Sequence, residues 1–194
     1  MTGTRALLVD LDGTLVDTAS ANYLAYAEAL GEVGVSISRE AFDRVAFGRN
    51  WRQFLPALLA DRAGVEPAAV AARKVALYPG KIEHTRVNEA LVSLLASLRP
   101  TWRTALVTTA SAANAGAILH HYELHALFDT IVTGSDVARH KPNPEAYVLA
   151  AERLGVAAAD CLIVEDSEIG LASARAFGAP CLMVAFPAVP ANAA

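Results

Sequence analysis

The chain opens on an apolar strand that runs straight into an acidic turn, Ala6-Leu7-Leu8-Val9-Asp10-Leu11-Asp12-Gly13-Thr14-Leu15-Val16-Asp17-Thr18. Four residues with β character precede two aspartates one residue apart, and Gly13 permits the tight turn that gathers both carboxylates and the following amides round one point. Such a turn can hold a cation and an anion together. A ligand-free Asp-Gly turn is the simpler interpretation of this stretch alone, but three later strands end in matching chemistry.

Length and composition predict a soluble globular protein. The chain has 194 residues, of which 54% are hydrophobic and 19% charged, enough for one domain or one domain carrying an inserted subdomain. A net charge of -4 gives no electrostatic basis for binding nucleic acid or an anionic membrane surface, so an anionic substrate needs a local cation.

Two further features bear on location. No apolar run has the pattern of a signal peptide or the length of a membrane span. The two cysteines, Cys161 and Cys181, each open a predicted buried strand and indicate no disulfide framework. We therefore expect a cytoplasmic protein. We also expect a monomer or a weak homodimer.

The order of predicted elements favours an α/β fold with an insert. Helical patterns cover 19–34, 39–47, 50–63 and 67–83, and the segment 84–88 leads back to the rest of the chain. From Asn88 onward, strands at 104–107, 130–133, 161–164 and 181–184 alternate with helices at 88–98, 112–121, 144–154 and up to Gly178. This alternation predicts a Rossmann-like parallel sheet core with helices on both faces, made of residues 1–18 and 85–194. Residues 19–84 are predicted to form an inserted all-helical cap subdomain.

Polar side chains follow four of the predicted strands. Ligands of an open parallel sheet bind beyond the carboxyl ends of its strands, so these side chains are expected to meet. In chain order they are Asp10 and Asp12, then Thr108, then Lys141 in a loop, then Glu165 and Asp166.

This set of residues suits phosphoryl transfer. Carboxylates 4 Å apart repel by about 4 kcal/mol per pair at an effective dielectric of 20, so a cation must be present. The candidate ligands are all oxygen, which favours Mg²⁺, and Lys141 adds a fixed positive charge. One aspartate can attack phosphorus while a second carboxyl two residues on gives and takes the proton. Amides in the turn and the Thr108 hydroxyl can hold the phosphoryl oxygens.

The motifs resemble those of the haloacid dehalogenase-like (HAD) superfamily, in particular its phosphatase and phosphomutase branch with a helical cap after the first strand. The matching stretches are DLDGTLVDT at 10–18, LVTTAS at 106–111, HKPNPEAY at 140–147 and VEDSEIGLASARAFGAP at 164–180. Dehalogenases of this superfamily lack the second aspartate, so the presence of Asp12 argues against dehalogenation.

The resemblance implies a role for each of these residues. Asp10 is the nucleophile, and Asp12 is the general acid/base, which also gives its backbone carbonyl to Mg²⁺. Thr108 binds phosphate and Lys141 organises the charges. Asp166 is a metal ligand, and Glu165 is an accessory acid that either ligates the metal or only partners Lys141. Gly13 and Thr109 are further candidates for contacts with the substrate.

Two departures from the family pattern argue for hydrolysis and against a sugar-phosphate mutase. Mutases of this family carry a histidine where this chain has Asn22, and a Lys-Gly-x-Ser cap loop where it has Phe47-Gly48-Arg49-Asn50-Trp51-Arg52. Arg49 and Arg52 either hold a negative or hydroxylated part of the substrate, with Trp51 as an apolar wall, or are simply solvated.

The favoured function is a Mg²⁺-dependent phosphatase that hydrolyses a small soluble phosphomonoester, such as a sugar phosphate or a phosphoglycolate-like compound, through an aspartyl-phosphate. The alternatives are a mutase of the β-phosphoglucomutase kind, a phosphoacceptor signalling module and a non-catalytic binding protein. His120, His121 and His125 do not share a helical face, so we interpret them as surface residues and not as a metal site.

Overall fold

The structure is a computed structural model that describes residues 5–46 and 49–186. The strands in chain order are β1 (Arg5–Val9), β2 (Val16–Asp17), β3 (Arg86–Val87), β4 (Trp102–Val107), β5 (Thr130–Val132), β6 (Cys161–Glu165) and β7 (Cys181–Met183). The α-helices are α1 (Ala19–Gly31), α2 (Arg39–Ala46), α3 (Trp51–Leu58), α4 (Pro67–Leu77), α5 (Glu89–Leu98), α6 (Ala112–His121), α7 (Glu145–Leu154) and α8 (Glu168–Phe177). Three short 3₁₀ helices lie at Tyr78–His84, His125–Leu127 and Ala158–Asp160.

Five parallel strands form one sheet in the order β5-β4-β1-β6-β7. The first strand lies in the middle, with Val9 in register with Leu106 on one side and Val164 on the other. The chain first builds the sheet outward through β4 and β5 and then returns to add β6 and β7. The strand order therefore reverses between β1 and β6, which is where ligands of such sheets bind.

Helices cover both faces of the sheet because side chains of β1 alternate between two apolar clusters. Leu7 and Val9 pack in the cluster that includes residues of α5 and α6. Ala6 and Leu8 pack in the opposite cluster with residues of α7 and α8. Each fully buried leucine contributes about 1.5–3 kcal/mol. The predicted Rossmann-like core is confirmed.

The described residues between β2 and β3 form helices and no strands, as the sequence predicts. Helices α1 to α4 enclose a third apolar cluster, in which the Tyr26 ring lies 5.4 Å from Phe42 and 5.3 Å from Phe54. Where this insert leaves and rejoins the core, β2 and β3 form an antiparallel pair, with an ion pair of 2.8 Å between Arg86 and Asp17. The division into domains at 1–18, 19–84 and 85–194 stays a prediction.

Several element ends differ from the sequence-based expectation. The helix predicted to reach residue 83 ends at Leu77 and continues as a 3₁₀ helix, because Pro79 has no amide hydrogen to donate. Pro144 is the N-cap of α7 and not its first residue, while Asn143 Oδ1 accepts from the Glu145 amide. Helix α1 is shorter than predicted and ends at Gly31.

The last strand is an edge strand, so its prediction as buried was wrong. Leu182 and Met183 are exposed and Cys181 is half-buried, whereas Cys161 on the inner strand β6 is buried as expected. Phe47, which was predicted to be helical, Gly48 and the residues from 187 onward lie outside the described residues. In the described ranges, no helix has the length and apolar character needed to cross a membrane.

Candidate active site

The ends of the central strands bring Asp10 and Lys141 together. Asp10 follows β1, and its amide donates to the Val164 carbonyl of β6 at 3.0 Å. The Lys141 ammonium is buried and donates to Asp10 Oδ1 at 2.7 Å, Glu165 Oε1 at 2.6 Å and the Val107 carbonyl at 3.0 Å. One lysine thus joins the ends of three strands and neutralises part of two carboxylates.

Asp166 completes an acidic cluster beside this pair. Carboxylate oxygens of Asp10, Glu165 and Asp166 lie within 4.8 Å of one another. The turn residue Gly13 makes room for it, because a Cβ at Gly13 would lie 2.0 Å from Asp166 Oδ2, and its φ of +86° also favours glycine. The Gly13 amide donates to the Val16 carbonyl at 2.8 Å. Gly13 therefore shapes the site chiefly by lacking a side chain.

Glu165 is held by donors on both of its oxygens. Oε1 accepts from Lys141 and, at 2.8 Å, from the Tyr147 hydroxyl. Oε2 accepts from the Asp166 amide at 3.2 Å and the Ser167 hydroxyl at 3.3 Å. Burial alone would raise the pKa of Glu165, but Lys141 and these hydrogen bonds lower it overall. Glu165 is therefore held as an anion that fixes the position of Lys141.

Asp12 lies in a second polar group next to the cluster. Its Oδ1 accepts from the Thr18 hydroxyl at 2.5 Å and from Asn22 Nδ2 at 3.2 Å, and its Oδ2 accepts from the Thr108 hydroxyl at 3.2 Å. The Thr108 hydroxyl in turn accepts from the Ala110 amide at 3.0 Å. These contacts fix the Asp12 carboxylate, and the contact of Thr108 with phosphate stays a prediction.

The cluster carries more negative charge than its one lysine can balance. Burial raises the pKa of Asp10; Lys141 opposes this rise, whereas Glu165, Asp166 and Asp12 add to it. Burial and the charges of Glu165 and Asp12 raise the pKa of Asp166 to about 7. Burial lowers the pKa of Lys141, but the neighbouring acids more than compensate and raise it overall. The cluster therefore favours taking up a proton or a cation.

A divalent cation fits this donor set. The three clustered acids offer only oxygen, and Mg²⁺ prefers one or two carboxylates together with water and a substrate phosphate. Asp10 and Asp166 are the acids that have the fewest competing donors, since Glu165 already accepts four hydrogen bonds. Burial and the neighbouring acids raise the pKa of Asp166, and a cation bound beside it would oppose that effect.

A cavity of about 750 Å³ opens in front of the cluster and is lined by both the core and the insert. All but one of the candidate residues from the sequence border it: Asp10, Asp12, Gly13, Arg49, Arg52, Thr109, Lys141, Glu165 and Asp166. Thr108 is buried behind Asp12.

The two insert arginines lie at the outer part of the cavity. Arg49 and Arg52 are exposed, and the Arg52 guanidinium lies 4.4 Å from the centre of the Trp51 ring. Burial and the positive charge of Arg52 lower the pKa of His140, a core residue that also lines the cavity. Insert and core side chains are thus close enough to act on one substrate. The histidines His120, His121 and His125 are exposed, as expected.

Sequence reasoning missed two buried residues of this region, Tyr147 and Lys74. Tyr147 falls at helical spacing and looks like a core aromatic, which it is, but its hydroxyl also holds Glu165. Lys74 follows Arg73 on an amphipathic helix and looks solvated, yet only 6% of it is exposed and it lines the cavity. Helical spacing does place Lys74 on the same face as the buried Val70, Ala71 and Tyr78, so periodicity is a signal for its burial that a lysine side chain obscures.

Comparisons with known proteins agree with this geometry. The family model of haloacid dehalogenase-like hydrolases matches residues 4–178. Fructose-1-phosphate phosphatase YqaB of Escherichia coli is 30% identical over 89% of this chain and 92% of its own length. β-Phosphoglucomutase of Bacillus subtilis is 27% identical over 90% of this chain and 80% of its own.

A solved structure is similar over nearly the whole chain. CbbY from Rhodobacter sphaeroides, crystallised in complex with phosphate, has a TM-score of 0.86 and 26% identity, and the match covers 95% of this chain and 87% of that one. The sequence similarity, the strand order and the acidic site all indicate the same family. The chain therefore belongs to the haloacid dehalogenase-like hydrolase family, and it is an enzyme of that family's phosphatase and phosphomutase branch.

Proposed function

We propose that the enzyme is a Mg²⁺-dependent phosphatase that hydrolyses a small soluble sugar phosphate or related phosphomonoester through an aspartyl-phosphate on Asp10. The observation that carries this proposal is the buried Asp10–Lys141–Glu165 arrangement, with Asp166 within reach, at the floor of a cavity of about 750 Å³. The similarity to a fructose-1-phosphate phosphatase over 89% of the chain supports the substrate class. We also propose a cytoplasmic location and a monomer or weak homodimer.

In the first half of the reaction, an Asp10 carboxylate oxygen attacks phosphorus and the bond from phosphorus to the ester oxygen breaks. Asp12 gives its proton to the departing alkoxide. Asp12 suits this role because donors from Thr18, Asn22 and Thr108 fix its orientation. Lys141 holds the other side of the Asp10 carboxylate at 2.7 Å and offers positive charge to the phosphoryl oxygens.

In the second half, water attacks the phosphorus of the aspartyl-phosphate while Asp12 takes the proton. The bond between phosphorus and the Asp10 oxygen then breaks, which releases inorganic phosphate and restores both aspartates. Mg²⁺, held by Asp10, Asp166 and the main-chain carbonyl of Asp12 with Glu165 nearby, would supply positive charge that keeps Asp10 ionised and balances the phosphoryl oxygens.

We propose that the helical insert acts as a cap that excludes bulk water from the site. Its support is the cavity itself, which is lined by insert residues such as Trp51 as well as by the strand ends. Exclusion of water strengthens the charge interactions at Asp10 and protects the aspartyl-phosphate from side reactions.

A sugar-phosphate mutase is the second candidate, because a β-phosphoglucomutase is 27% identical over 90% of this chain. The contact to Asn22 favours hydrolysis. Its Nδ2 lies 3.2 Å from Asp12 Oδ1, and an amide, unlike an imidazole, cannot exchange a proton with Asp12 at neutral pH. The two activities differ in product, since a mutase yields an isomeric sugar phosphate and no inorganic phosphate.

A screen of several dozen phosphomonoesters with and without Mg²⁺ tests the proposal. We expect Mg²⁺-dependent release of inorganic phosphate by the wild type and none by Asp10→Asn. Asp160→Asn, which changes an exposed aspartate away from the cavity, is the matched control and keeps full activity. Equal turnover by Asp10→Asn would refute the nucleophile, and turnover unchanged by chelation would refute the metal. An aspartyl-phosphate that persists for minutes would favour a signalling module, and a complete lack of turnover a binding protein.

A further inference from the structure

Lys74 is a buried cation in the insert, and no carboxylate of residues 5–46 and 49–186 forms an ion pair with it. It lies on α4 with 6% of its surface exposed, and its ammonium lies 4.2 Å from the centre of the Tyr78 ring and 5.2 Å from that of Tyr26. Among residues 5–46 and 49–186, neither the ion pairs nor the hydrogen bonds involve the Lys74 ammonium. The other buried lysine, Lys141, has two carboxylates within 2.7 Å.

Such a lysine destabilises the folded enzyme when nothing else is bound. A buried charge without a partner loses its hydration, and the faces of two aromatic rings return only part of that loss. Burial accordingly lowers the pKa of Lys74 to about 8, although the negative charge of Asp12 acts to raise it. An anion that enters the cavity would supply the missing partner.

The cavity already has a place for the phosphoryl group that reacts. That group belongs at the strand ends, next to Asp10 and Lys141. Lys74 lines the same cavity from the insert, together with the exposed Arg49 and Arg52 of the same insert. A substrate with one phosphate would satisfy the strand ends and leave Lys74 without an anion.

We propose that Lys74 binds a second anionic group of the substrate, so that the enzyme prefers small phosphomonoesters that also carry another phosphate or a carboxylate. This inference rests on the proposed phosphatase function and narrows its substrate class. The alternative role for the same geometry is that Lys74 acts on the charge of Asp12. That role would affect every substrate alike, so the two can be separated by experiment.

The experiment compares kcat/KM for matched pairs of substrates: a sugar bisphosphate with the corresponding monophosphate, and a phosphorylated sugar acid with its neutral counterpart. We expect the wild type to prefer at least one of the two-anion substrates by about tenfold or more, the size of one charge-assisted contact. In Lys74→Met this preference falls by about tenfold, mainly through KM. The first pair reports a second phosphate and the second pair a carboxylate.

Arg44→Gln is the matched control, since it removes one positive charge from the same insert at a side chain that is 72% exposed and pairs with Glu40. It should leave the preference unchanged. A wild type that prefers neither two-anion substrate would overturn the inference while leaving the phosphatase proposal intact. If Lys74→Met lowers kcat/KM equally for all substrates, the inference is overturned in the same way. If no phosphomonoester is hydrolysed by the wild type, the proposed function itself fails and the inference with it.

Thermal unfolding gives a second readout that does not depend on turnover. Without ligand, Lys74→Met should unfold about 2–12 °C above the wild type, because methionine keeps the volume and removes the buried charge. In the Asp10→Asn background, a two-anion ligand should raise Tm more when Lys74 is present than when it is methionine. A lower Tm for ligand-free Lys74→Met, or equal ligand effects in both backgrounds, would contradict the inference.

Discussion

The two buried lysines have opposite surroundings, and their surroundings determine what each contributes. Lys141 lies between Asp10 and Glu165 at 2.7 and 2.6 Å, so it compensates charges that would otherwise be buried alone. Lys74 faces the rings of Tyr26 and Tyr78. Within the described part of the chain no acid forms an ion pair with it, and the charge of Asp12 acts on it only from a greater distance. Similar burial therefore stabilises the fold in one case and destabilises it in the other.

Replacing each lysine by methionine should change stability in opposite directions. Lys141→Met leaves two carboxylates unpaired and should lower the free energy of unfolding at pH 7 by about 3–5 kcal/mol. Lys74→Met should raise it by about 1–3 kcal/mol, since it removes an uncompensated charge. Urea unfolding of both variants without metal measures the two values. Changes of the same sign in both variants would contradict this account of the two sites.

The loss of folding stability caused by the buried charge of Lys74 should disappear at alkaline pH. Its pKa is about 8 in the folded protein and 10.5 when unperturbed, so below pH 8 the lysine is charged in both states and the cost is complete. Between these values the unfolded chain binds more protons, and stability rises with pH. The groups facing Lys74 are Asp12, Tyr26 and Tyr78, and burial raises the pKa of both tyrosines, so they stay neutral in this range.

The measurement is the difference in unfolding free energy between Lys74→Met and the wild type from pH 7 to pH 10. It should shrink steadily as the pH passes 8. A difference that stays constant over this range would show that the charge of Lys74 does not destabilise the folded protein.

At the scale of elements, two helices show how close packing sets the site. Gly170 lies in the first turn of α8, and a Cβ there would lie 1.9 Å from the Glu165 carboxyl carbon. The helix N-terminus can therefore approach β6 only with glycine at this position. Gly116 lies within α6 and has open space where a Cβ would stand.

Alanine at these two glycines should have opposite effects. Gly170→Ala must displace the Glu165 carboxylate and should cost about 1–3 kcal/mol of stability, with a loss of turnover because Lys141 loses its position. Gly116→Ala should stabilise the protein by about 0.5–1 kcal/mol, since alanine suits a helix interior better. Chemical unfolding and kcat of both variants provide the comparison, and a stabilising Gly170→Ala would refute the packing described for Glu165.

The sequence predicts elements where local chemistry is sufficient. The apolar run before Asp10, the helix at 112–121 and the terminating Gly178 all depend on residues close in the chain, and the structure confirms them. Prediction from the sequence fails where contacts between distant segments of the chain determine the structure. The pairing of Val16 with Val87 joins segments far apart in the chain, and the edge position of Cys181 depends on strand order.

The same limit applies to the site. Asp10, Asp12, Lys141 and Asp166 could be found because they directly follow strands or stand in motifs of known spacing. The surroundings of Lys74 could not, since the position of its ammonium between two tyrosine rings, with no ion pair in the described ranges, results from packing between α1, α4 and the 3₁₀ helix after it. Motif spacing identifies groups that share one edge of a sheet, but it carries no information on charges buried between helices.

For the whole molecule, the unbalanced acidic cluster links stability to metal binding. Addition of Mg²⁺ should raise Tm, because the cation offsets repulsion among Asp10, Glu165 and Asp166 and binds only the folded state. Asp166→Asn should raise Tm in the absence of metal and greatly reduce the further rise with Mg²⁺. Asp160→Asn serves as the control with an unchanged response. If Asp166→Asn responded to Mg²⁺ as the wild type does, Asp166 would not be a ligand.

The central claim is that Asp10 carries the phosphoryl group during turnover, and acid quenching followed by peptide mass spectrometry tests it most directly. During hydrolysis of a good substrate, the peptide that contains Asp10 should gain the mass of one phosphoryl group, and Asp10→Asn should show no such gain. Rapid turnover with the added mass on any other residue, or on none at the time points when phosphate is being released, would contradict the account.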